Sequence, residues 1–262
     1  MIFVVLTVRN QSVRLASLLP HLEEVDMPLF VIVVDDDSQD GTADVAEHYP
    51  GLRGRLRLVQ HVRRHGEGRC VVAGLREALA LRRNPGDLVV TLPVGDPVPG
   101  GGDAEGPEIE LLVRIIRRLE EGMDLVVGSR FIPGGGEPGL SRWKRFLSRG
   151  LAGLLHVLFP LAGVRDYTSG YRGMRLAVVE RAFAVHGRNL VTCSGEPGPA
   201  ELLVRLGRMG VRAAEVPLWL EPGLPRMDRR RFGLRSLLGW LWMILVLLGP
   251  SRARASSRQA RG

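Results

Sequence analysis

The chain has 262 residues, enough for one large domain or two small ones with a substantial core. Its hydrophobic content of 45% is typical of a globular protein, and its net charge of +8 comes almost entirely from arginine. The basic residues crowd towards the C-terminus, at 226–235 and 251–261, on both sides of an apolar run. This distribution, with no aromatic stacking platform, argues against nucleic-acid binding and favours phosphates or an anionic membrane surface.

Strand-like and helix-like patterns alternate over the first 130 residues. Short β-branched runs predict buried strands, and longer stretches with apolar residues three and four apart predict helices. Alternation of this kind, with strands apolar throughout, predicts an α/β fold with a mostly parallel sheet covered on both faces. The predicted strands are 2–8, 29–35, 55–61, 87–92 and 124–130, and the predicted helices follow Gln11, Gly41, Arg69 and Gly106.

Beyond residue 140 the pattern changes. An amphipathic helix that starts near Ser141 becomes apolar on nearly all sides, and the segment VRDYTSGYRGMR follows it. Helices at about 175–184 and after Pro199, and a strand in VRAAEVPL, complete this part. The N-terminal run MIFVVLTV is too short for a signal peptide and has no basic residue before it, so it predicts a buried strand and a cytosolic location.

Ligands of parallel sheets bind at the carboxyl ends of the strands, so the residues that follow each strand are candidates for a site. In VIVVDDDSQDGT, Asp35 and Asp36 end a buried strand and Asp40 is a predicted helix N-cap. In RRHGEGRC, Gly66 and Gly68 precede a predicted helix, where backbone could approach a phosphate or sugar. A polar turn and a plain loop-to-helix connection are the alternatives at these two places.

The resemblance to a known family rests on an ordered set of segments: VVLTVRNQ, VIVVDDDSQDGT, RRHGEG, DLVVGSRFIPGG, WKRFLSR, VRDYTSGYRGMR, AELLVRLGRMGVRAAEVPL and RRRFGLRS. Together they resemble the inverting family 2 glycosyltransferases of the GT-A fold. The resemblance runs from about residue 2 to residue 248 and is strongest to the polyprenyl (dolichyl) phosphate mannosyltransferases and glucosyltransferases. Its most specific piece is D-x-T-S-G-[YF]-R, matched by Asp166, Thr168, Ser169, Gly170, Tyr171 and Arg172 on the acceptor side.

The resemblance assigns a role to each matching residue. Arg130, Lys144 and Ser148 would bind the phosphate of a lipid acceptor, although the family usually has arginine where Lys144 stands; a solvated helix charge is the alternative for this lysine. The residues that would bind the nucleotide-sugar donor are Thr7, Arg9, Asn10, Asp35, Asp36, Gly66, Gly68, Arg230 and Arg231.

The family also places an acidic D-x-D at the end of the fourth strand, where it holds Mg²⁺ or Mn²⁺. This chain has Pro93-Val94-Gly95 there, and Asp96 follows one place late. Either Asp96, with Asp103 or Glu105, takes over the metal, or the metal site is lost; proline and glycine could re-aim the loop. We expect a metal site that is weakened or absent.

The apolar run 236–249 is too short to span a bilayer and has arginine on both sides. It predicts a helix lying in the membrane interface, with a buried core helix or a partner contact as the alternative. We therefore expect a GT-A domain over residues 1–222 and a basic, interfacial segment over residues 223–262. The protein would be peripheral, at the cytoplasmic face of a membrane.

The resemblance implies transfer of a hexose from GDP-mannose or UDP-glucose to a polyprenyl phosphate. The alternative is a catalytically impaired relative that binds nucleotide or lipid phosphate as a scaffold. Two free cysteines, Cys70 and Cys193, have neither C-x-x-C nor zinc spacing and predict buried, reduced thiols. Sugar, nucleotide, lipid and oligomeric state do not follow from the sequence.

Overall fold

A computed structural model describes residues 1–52, 54–94, 107–137, 142–220 and 234–249. Its strands are β1 (Ile2–Val8), β2 (Leu29–Asp35), β3 (Leu56–Gln60), β4 (Leu88–Pro93), β5 (Leu125–Ser129), β6 (Arg172–Arg175) and β7 (Ala213–Pro217). Its helices are α1 (Ser12–Glu23), α2 (Thr42–His48), α3 (Glu67–Leu81), α4 (Pro107–Glu120), α5 (Arg142–Leu158), α6 (Leu176–His186), α7 (Pro197–Gly207) and α8 (Leu234–Leu248).

The seven strands form one sheet in the order β3-β2-β1-β4-β6-β5-β7. All neighbouring strands are parallel except at β6, which runs antiparallel to both β4 and β5. Strands β1, β2, β4 and β5 are almost wholly buried, as their continuous apolar sequences predict. The prediction of a mostly parallel sheet is confirmed, but β6 was not expected.

Helices cover both faces of the sheet, because successive side chains of each strand point to opposite sides. On one face Val4, Leu6 and Val33 pack in a core with α1 and α4. On the other face Val5 and Val34 pack in a second core with α3, α5, α6, α7 and α8. The carboxyl ends of β1, β2, β3, β4 and β5 therefore meet at one edge of a three-layer molecule.

Two helix starts differ from the sequence predictions. Helix α3 begins at Glu67, three residues earlier than expected, so Gly68 lies inside its first turn rather than before it. Helix α2 is preceded by Gly41 with φ of 83°, a left-handed conformation that glycine adopts without strain. Asp40 is therefore not the N-cap; its carboxylate accepts hydrogen bonds from the Thr42 and Ser12 amides.

Candidate functional site

The ends of β1 and β2 are joined by a polar network. The Asn10 amide donates to Ser38 Oγ at 2.9 Å, and Asn10 Oδ1 accepts from the Gln39 amide at 2.8 Å. Ser38 in turn donates its hydroxyl to Asp35, which is completely buried. Asn10 has a φ of 51°, so this non-glycine residue is held in the left-handed region by its neighbours.

Asp36 holds the loop that leads into α3. Its oxygens accept the amides of His65 at 2.7 Å and Gly66 at 2.8 Å, while its own carbonyl accepts Arg9 Nε at 3.1 Å. Burial raises the pKa of this carboxyl, but the amide hydrogen bonds outweigh it and the pKa lies below its usual value. The side chain is 1% exposed, so Asp36 holds this loop from beneath.

The two glycines of this loop are required by packing. A Cβ on Gly66, whose φ is 86°, would lie 2.6 Å from the backbone nitrogen of Gly195, and a Cβ on Gly68 would lie 2.7 Å from Cα of Gly198. The N-termini of α3 and α7 thus approach through backbone alone. The role of Gly66 and Gly68 in donor binding stays a prediction. The space that a Cβ would take at each glycine is filled by backbone of Gly195 or Gly198.

Glu201 fixes the segment against which those glycines pack. Its fully buried carboxylate accepts the amides of Thr192 and Cys193, each at 2.8 Å, and pairs with Arg205 at 2.6 Å. The sequence analysis did not single out Glu201, because a glutamate inside a helix carries no local signal for such a role.

Arg130 and Asp166 form a buried ion pair at the carboxyl end of β5. Arg130 Nε and Nη2 each donate to the Asp166 carboxylate at 2.7 Å, Nη1 donates to Glu137 at 2.5 Å, and Nη2 also donates to Thr168. Burial would raise the pKa of Asp166, but Arg130 holds it well below its usual value; the pKa of Arg130 is raised by Asp166 and Glu137 despite burial. Two carboxylates therefore face one guanidinium.

Asp166 also organises its own loop. It accepts the amides of Arg130, Thr168 and Ser169, each at 3.1 Å. Such multiple amide contacts to one carboxylate fix a backbone turn firmly. The sequence motif around Asp166 is therefore a structural unit that positions Arg130.

The same motif is attached to the end of β4. Thr91 Oγ1 donates to the Gly170 carbonyl at 2.9 Å, and the Tyr171 hydroxyl donates to the Pro93 carbonyl at 3.2 Å. A Cβ on Gly170 would lie 2.6 Å from both Pro93 and a carboxylate oxygen of Glu67. Gly170 therefore allows its own loop, the end of β4 and the start of α3 to pack together. They meet at the place where the sequence departs from D-x-D.

Arg172 is the last residue of the motif and is almost completely buried. Its guanidinium donates to the carbonyls of Tyr167, at 2.9 Å, and Pro199, while its Nε has no hydrogen-bond partner among the described residues. Burial lowers the pKa of Arg172 to about 10, opposed by Asp166 and Glu67. The hydroxyl of Thr7, at the end of β1, is a second buried polar atom without a partner in this part of the chain.

The described residues at the end of β4 do not form a divalent-cation site. Pro93 offers only a carbonyl, which Tyr171 already occupies, and Val94 is apolar and buried. The nearby carboxylate of Glu67 interacts with Arg172, and one paired carboxylate is a poor ligand set for Mg²⁺ or Mn²⁺, which take several oxygens. Asp96, Asp103, Glu105, Arg230 and Arg231 lie outside the described residues, as does the side chain of Lys144.

Helix α5 carries Ser148, which is half-buried, and Arg149, which is exposed. The guanidinium carbon of Arg149 lies 6.0 Å from the centre of the Phe131 ring, and that of Arg130 lies 5.1 Å from the same centre. The structure thus brings Arg149 to the edge that carries Arg130. Arg149 could not be singled out from the sequence, because it is one of several arginines along an amphipathic helix.

The lowered pKa values of Asp36 and Asp166 predict acid lability. A carboxyl whose pKa is lower in the folded state stabilises the fold above its unfolded pKa, and this contribution is lost as the pH falls through the folded pKa. We expect the free energy of unfolding to be nearly constant from pH 7 to about 5 and to fall below about pH 4. Urea titrations across this range test it; a loss of stability centred near pH 6 would point to histidines instead.

Residues 3–80 match the family model for glycosyl transferase family 2. A polyprenol monophosphomannose synthase from Mycolicibacterium smegmatis is 26% identical over 217 residues, which cover 82% of this chain and 75% of that protein. An undecaprenyl-phosphate mannosyltransferase from Micrococcus luteus is 28% identical over 211 residues, covering 80% of this chain and 79% of that protein.

The fold is also found in solved structures. The glucosyl-3-phosphoglycerate synthase from Mycobacterium tuberculosis, crystallised with Mn²⁺, uridine diphosphate and glucosyl-3-phosphoglycerate, superposes with a TM-score of 0.58. It is 21% identical, and the match covers 95% of this chain and 78% of that one. This likeness supports the fold alone.

Proposed function

The chain belongs to glycosyl transferase family 2 and has the GT-A fold, and from this premise we propose that it transfers a hexose to a polyprenyl phosphate. The donor would be a nucleotide sugar, GDP-mannose or UDP-glucose, bound across the ends of β1 and β2. The named activities of the two relatives support the acceptor class. The protein would act as a peripheral enzyme at the cytoplasmic face of a membrane.

The acceptor side supplies fixed positive charge. The guanidinium of Arg130 is already engaged, because it donates to the carboxylates of both Glu137 and Asp166. We propose that Arg130 holds the Asp166 motif in place and that Arg149 meets the acceptor phosphate, together with Lys144 and Ser148. Arg149 makes no ion pair with a described residue, and its exposed guanidinium suits a phosphate.

The chemistry needs no strong general base, because a phosphate monoester is already anionic at neutral pH. Its oxygen would displace the nucleoside diphosphate from the anomeric carbon in one step, which inverts the configuration. Catalysis would then depend on positioning of the two substrates and on stabilisation of the leaving diphosphate's charge. Asp36 and Asp166 would serve positioning, since each fixes a loop at the edge where the substrates meet.

The observation that carries the lipid acceptor is an exposed apolar surface on α8. One side of this helix is buried in the core through Trp240, Met243 and Leu247. The opposite side exposes the large apolar residues Leu237, Leu238, Leu241, Trp242, Leu245 and Leu248. Contiguous exposed apolar surface of this kind marks a membrane or partner contact. Among the described residues, no helix combines the length and hydropathy needed to cross a bilayer.

Helix α5 adds to the same side of the molecule. It exposes Trp143, Phe146 and Val157, and its end is linked to α8 through Arg208. Arg208 donates to the Leu247 carbonyl at 2.5 Å, and its guanidinium carbon lies 5.2 Å from the centre of the Phe159 ring. An apolar surface formed by both helices would place the acceptor-side residues of α5 next to a bilayer.

Replacing both Leu241 and Leu245 by Gln is expected to reduce binding to anionic liposomes at least about tenfold. Each leucine contributes about 1.5–3 kcal/mol when fully buried in an apolar phase, and about 1.4 kcal/mol corresponds to a factor of ten. Binding should also weaken with salt, because the flanking arginines act through a screened surface potential. Liposome sedimentation measures both effects.

Val13→Gln is the matched control, since Val13 is exposed on α1 on the opposite face of the sheet. Equal sedimentation of the wild type and the double variant would contradict membrane binding through α8.

The function itself is tested with labelled GDP-mannose and UDP-glucose, offered with either a polyprenyl phosphate in vesicles or soluble 3-phosphoglycerate. We expect label in the lipid fraction and none in the soluble acid. Arg149→Ala should raise the KM for the lipid without changing nucleotide affinity. The control Arg142→Ala, at the exposed start of α5, should leave the KM for the lipid unchanged. Label transferred only to 3-phosphoglycerate would overturn the proposed acceptor.

One observation favours a second candidate function. Pro93 and Val94 stand where the family has metal ligands, so a relative that binds nucleotide or lipid phosphate without turnover, as a scaffold, is the alternative. It predicts nucleotide binding in calorimetry with no labelled product for any acceptor.

A further inference from the structure

Three side chains that can ligate metal meet beneath the loop between β3 and α3. Asp36 Oδ1 lies 3.3 Å from His61 Nδ1, and His61 Nδ1 lies 3.8 Å from Cys70 Sγ. All three ligand atoms lie within 4.8 Å of one another. Asp36 and Cys70 are buried, whereas the other such group among the described residues, Asp44, Glu47 and His48 on α2, is fully exposed.

Two of the three separations between the ligand atoms agree with tetrahedral coordination. Zinc lies about 2.0 Å from carboxylate oxygen, about 2.05 Å from imidazole nitrogen and about 2.3 Å from thiolate sulfur. At tetrahedral angles these bonds place oxygen and nitrogen about 3.3 Å apart, and nitrogen and sulfur about 3.6 Å apart. The two measured separations differ from these by at most about 0.2 Å.

The electrostatic field at Cys70 favours a cation. Burial raises the pKa of the Cys70 thiol, and the negative charges of Asp36, Glu67 and Asp35 raise it further. The same charges attract a divalent ion, which would bind the thiolate and release the thiol proton to solvent. His61 would ligate through Nδ1 and keep its proton on Nε2.

A cavity beside the cluster gives an entry path. Its volume is about 380 Å³ and its wall includes His61 and His65, whose rings lie 4.6 Å apart. His65 Nδ1 is buried with no hydrogen-bond partner among the described residues. Arg69, Arg76 and Arg188 also line the cavity and oppose a cation, but all three are exposed and therefore screened by solvent.

We propose that Asp36, His61 and Cys70 bind a divalent transition-metal ion of the Zn²⁺ type, with the fourth position open to the cavity. A mixed set of oxygen, nitrogen and thiolate sulfur selects such ions over Mg²⁺, Ca²⁺ and Mn²⁺. The ion would tie the ends of β2 and β3 to α3 and so fix the loop on which Gly66 lies. It is separate from any cation at the end of β4 and does not depend on the transfer reaction.

The test is a Co²⁺ titration of the full-length protein, reduced with a phosphine and free of nucleotide. We expect a thiolate-to-cobalt charge-transfer band that saturates at one equivalent and disappears when Zn²⁺ is added. Cys70→Ser should abolish the band, and Cys193→Ser, which changes the other buried cysteine, should retain it. His61→Gln should weaken Co²⁺ binding at least about tenfold, the lower bound for losing even an outer-shell partner.

His48→Gln, in the exposed group on α2, is the control for surface binding and should leave the titration unchanged. A wild-type protein without the band, or a band that Cys193→Ser abolishes and Cys70→Ser leaves intact, would overturn the proposal. If Cys70→Ser does not fold, the partly exposed His61 decides the question: unchanged Co²⁺ affinity in His61→Gln would equally overturn it.

Discussion

Replacing Asp166 by Ala is expected to lower the free energy of unfolding by about 3–5 kcal/mol, because it leaves a buried charge without its main partner. Arg130 would keep only Glu137 and Thr168, and the amides of Thr168 and Ser169 would lose their acceptor. For a chain of this size each kcal/mol corresponds to about 2–4 °C, so Tm should fall by about 6–20 °C. Thermal unfolding followed by circular dichroism measures the change.

The same variant should lose at least about 100-fold in transfer activity, since displacement of a positioning loop by about 1 Å has an effect of that order. Glu121→Ala is the matched control, because it breaks an exposed pair with Arg118 on α4, a pair worth at most about 1 kcal/mol. A Tm change in Asp166→Ala no larger than that of the control would contradict the role given to this pair.

Replacing Asp36 by Asn is expected to lower nucleotide affinity about tenfold and to destabilise the fold by about 1–3 kcal/mol. The new amide group can accept through one atom only, so either the His65 or the Gly66 amide would lose its acceptor and face a donor instead. The loop beneath the predicted donor site would then shift. Calorimetry with GDP and UDP, together with urea unfolding, measures the two effects.

Asp37→Asn controls for the change in charge, because Asp37 is the next residue and asparagine tolerates its left-handed φ of 63°. We expect little change in either measurement for this control. Equal nucleotide affinity in the wild type and Asp36→Asn would show that the Asp36 loop takes no part in donor binding.

The parallel part of the fold could be predicted because its strands are buried on both faces and so read as continuous apolar runs. Strand β6, with the sequence RGMR, could not be predicted in this way. Its first residue, Arg172, is charged and yet buried, because backbone carbonyls of Tyr167 and Pro199 accept its N–H groups. Contacts of that kind depend on residues distant in sequence and leave no periodic pattern.

From the sequence, the residues that follow the parallel strands could be singled out as candidates, but their contacts could not be predicted. The partners Glu137, Glu201 and Arg149 were missed, because none lies within a local motif. Gly66 and Gly68 were singled out for ligand approach, whereas the structure shows backbone of Gly195 and Gly198 beside them. A glycine in sequence indicates close approach without indicating what approaches.

The ion pair of Arg130 also changes the account of the acceptor side. The resemblance assigned its guanidinium to a phosphate, but a guanidinium that already contacts Asp166, Glu137 and Thr168 serves first to fix its surroundings. The exposed Arg149, brought to the same edge by α5, can meet an incoming phosphate without breaking a buried pair. The proposed division of roles rests on burial, which the sequence could not show.

We propose that this chain transfers a hexose although the family's D-x-D is replaced by Pro93-Val94-Gly95. Turnover against Mn²⁺ concentration, measured for the wild type and Asp96→Ala with labelled donor and polyprenyl phosphate, tests it most directly. We expect slow transfer with little dependence on Mn²⁺ and no effect of the substitution, because Pro93 and Val94 supply no carboxylate at the place where the family has its metal ligands. A strong Mn²⁺ requirement that disappears in Asp96→Ala would contradict this account and show that the metal ligand has moved along the chain.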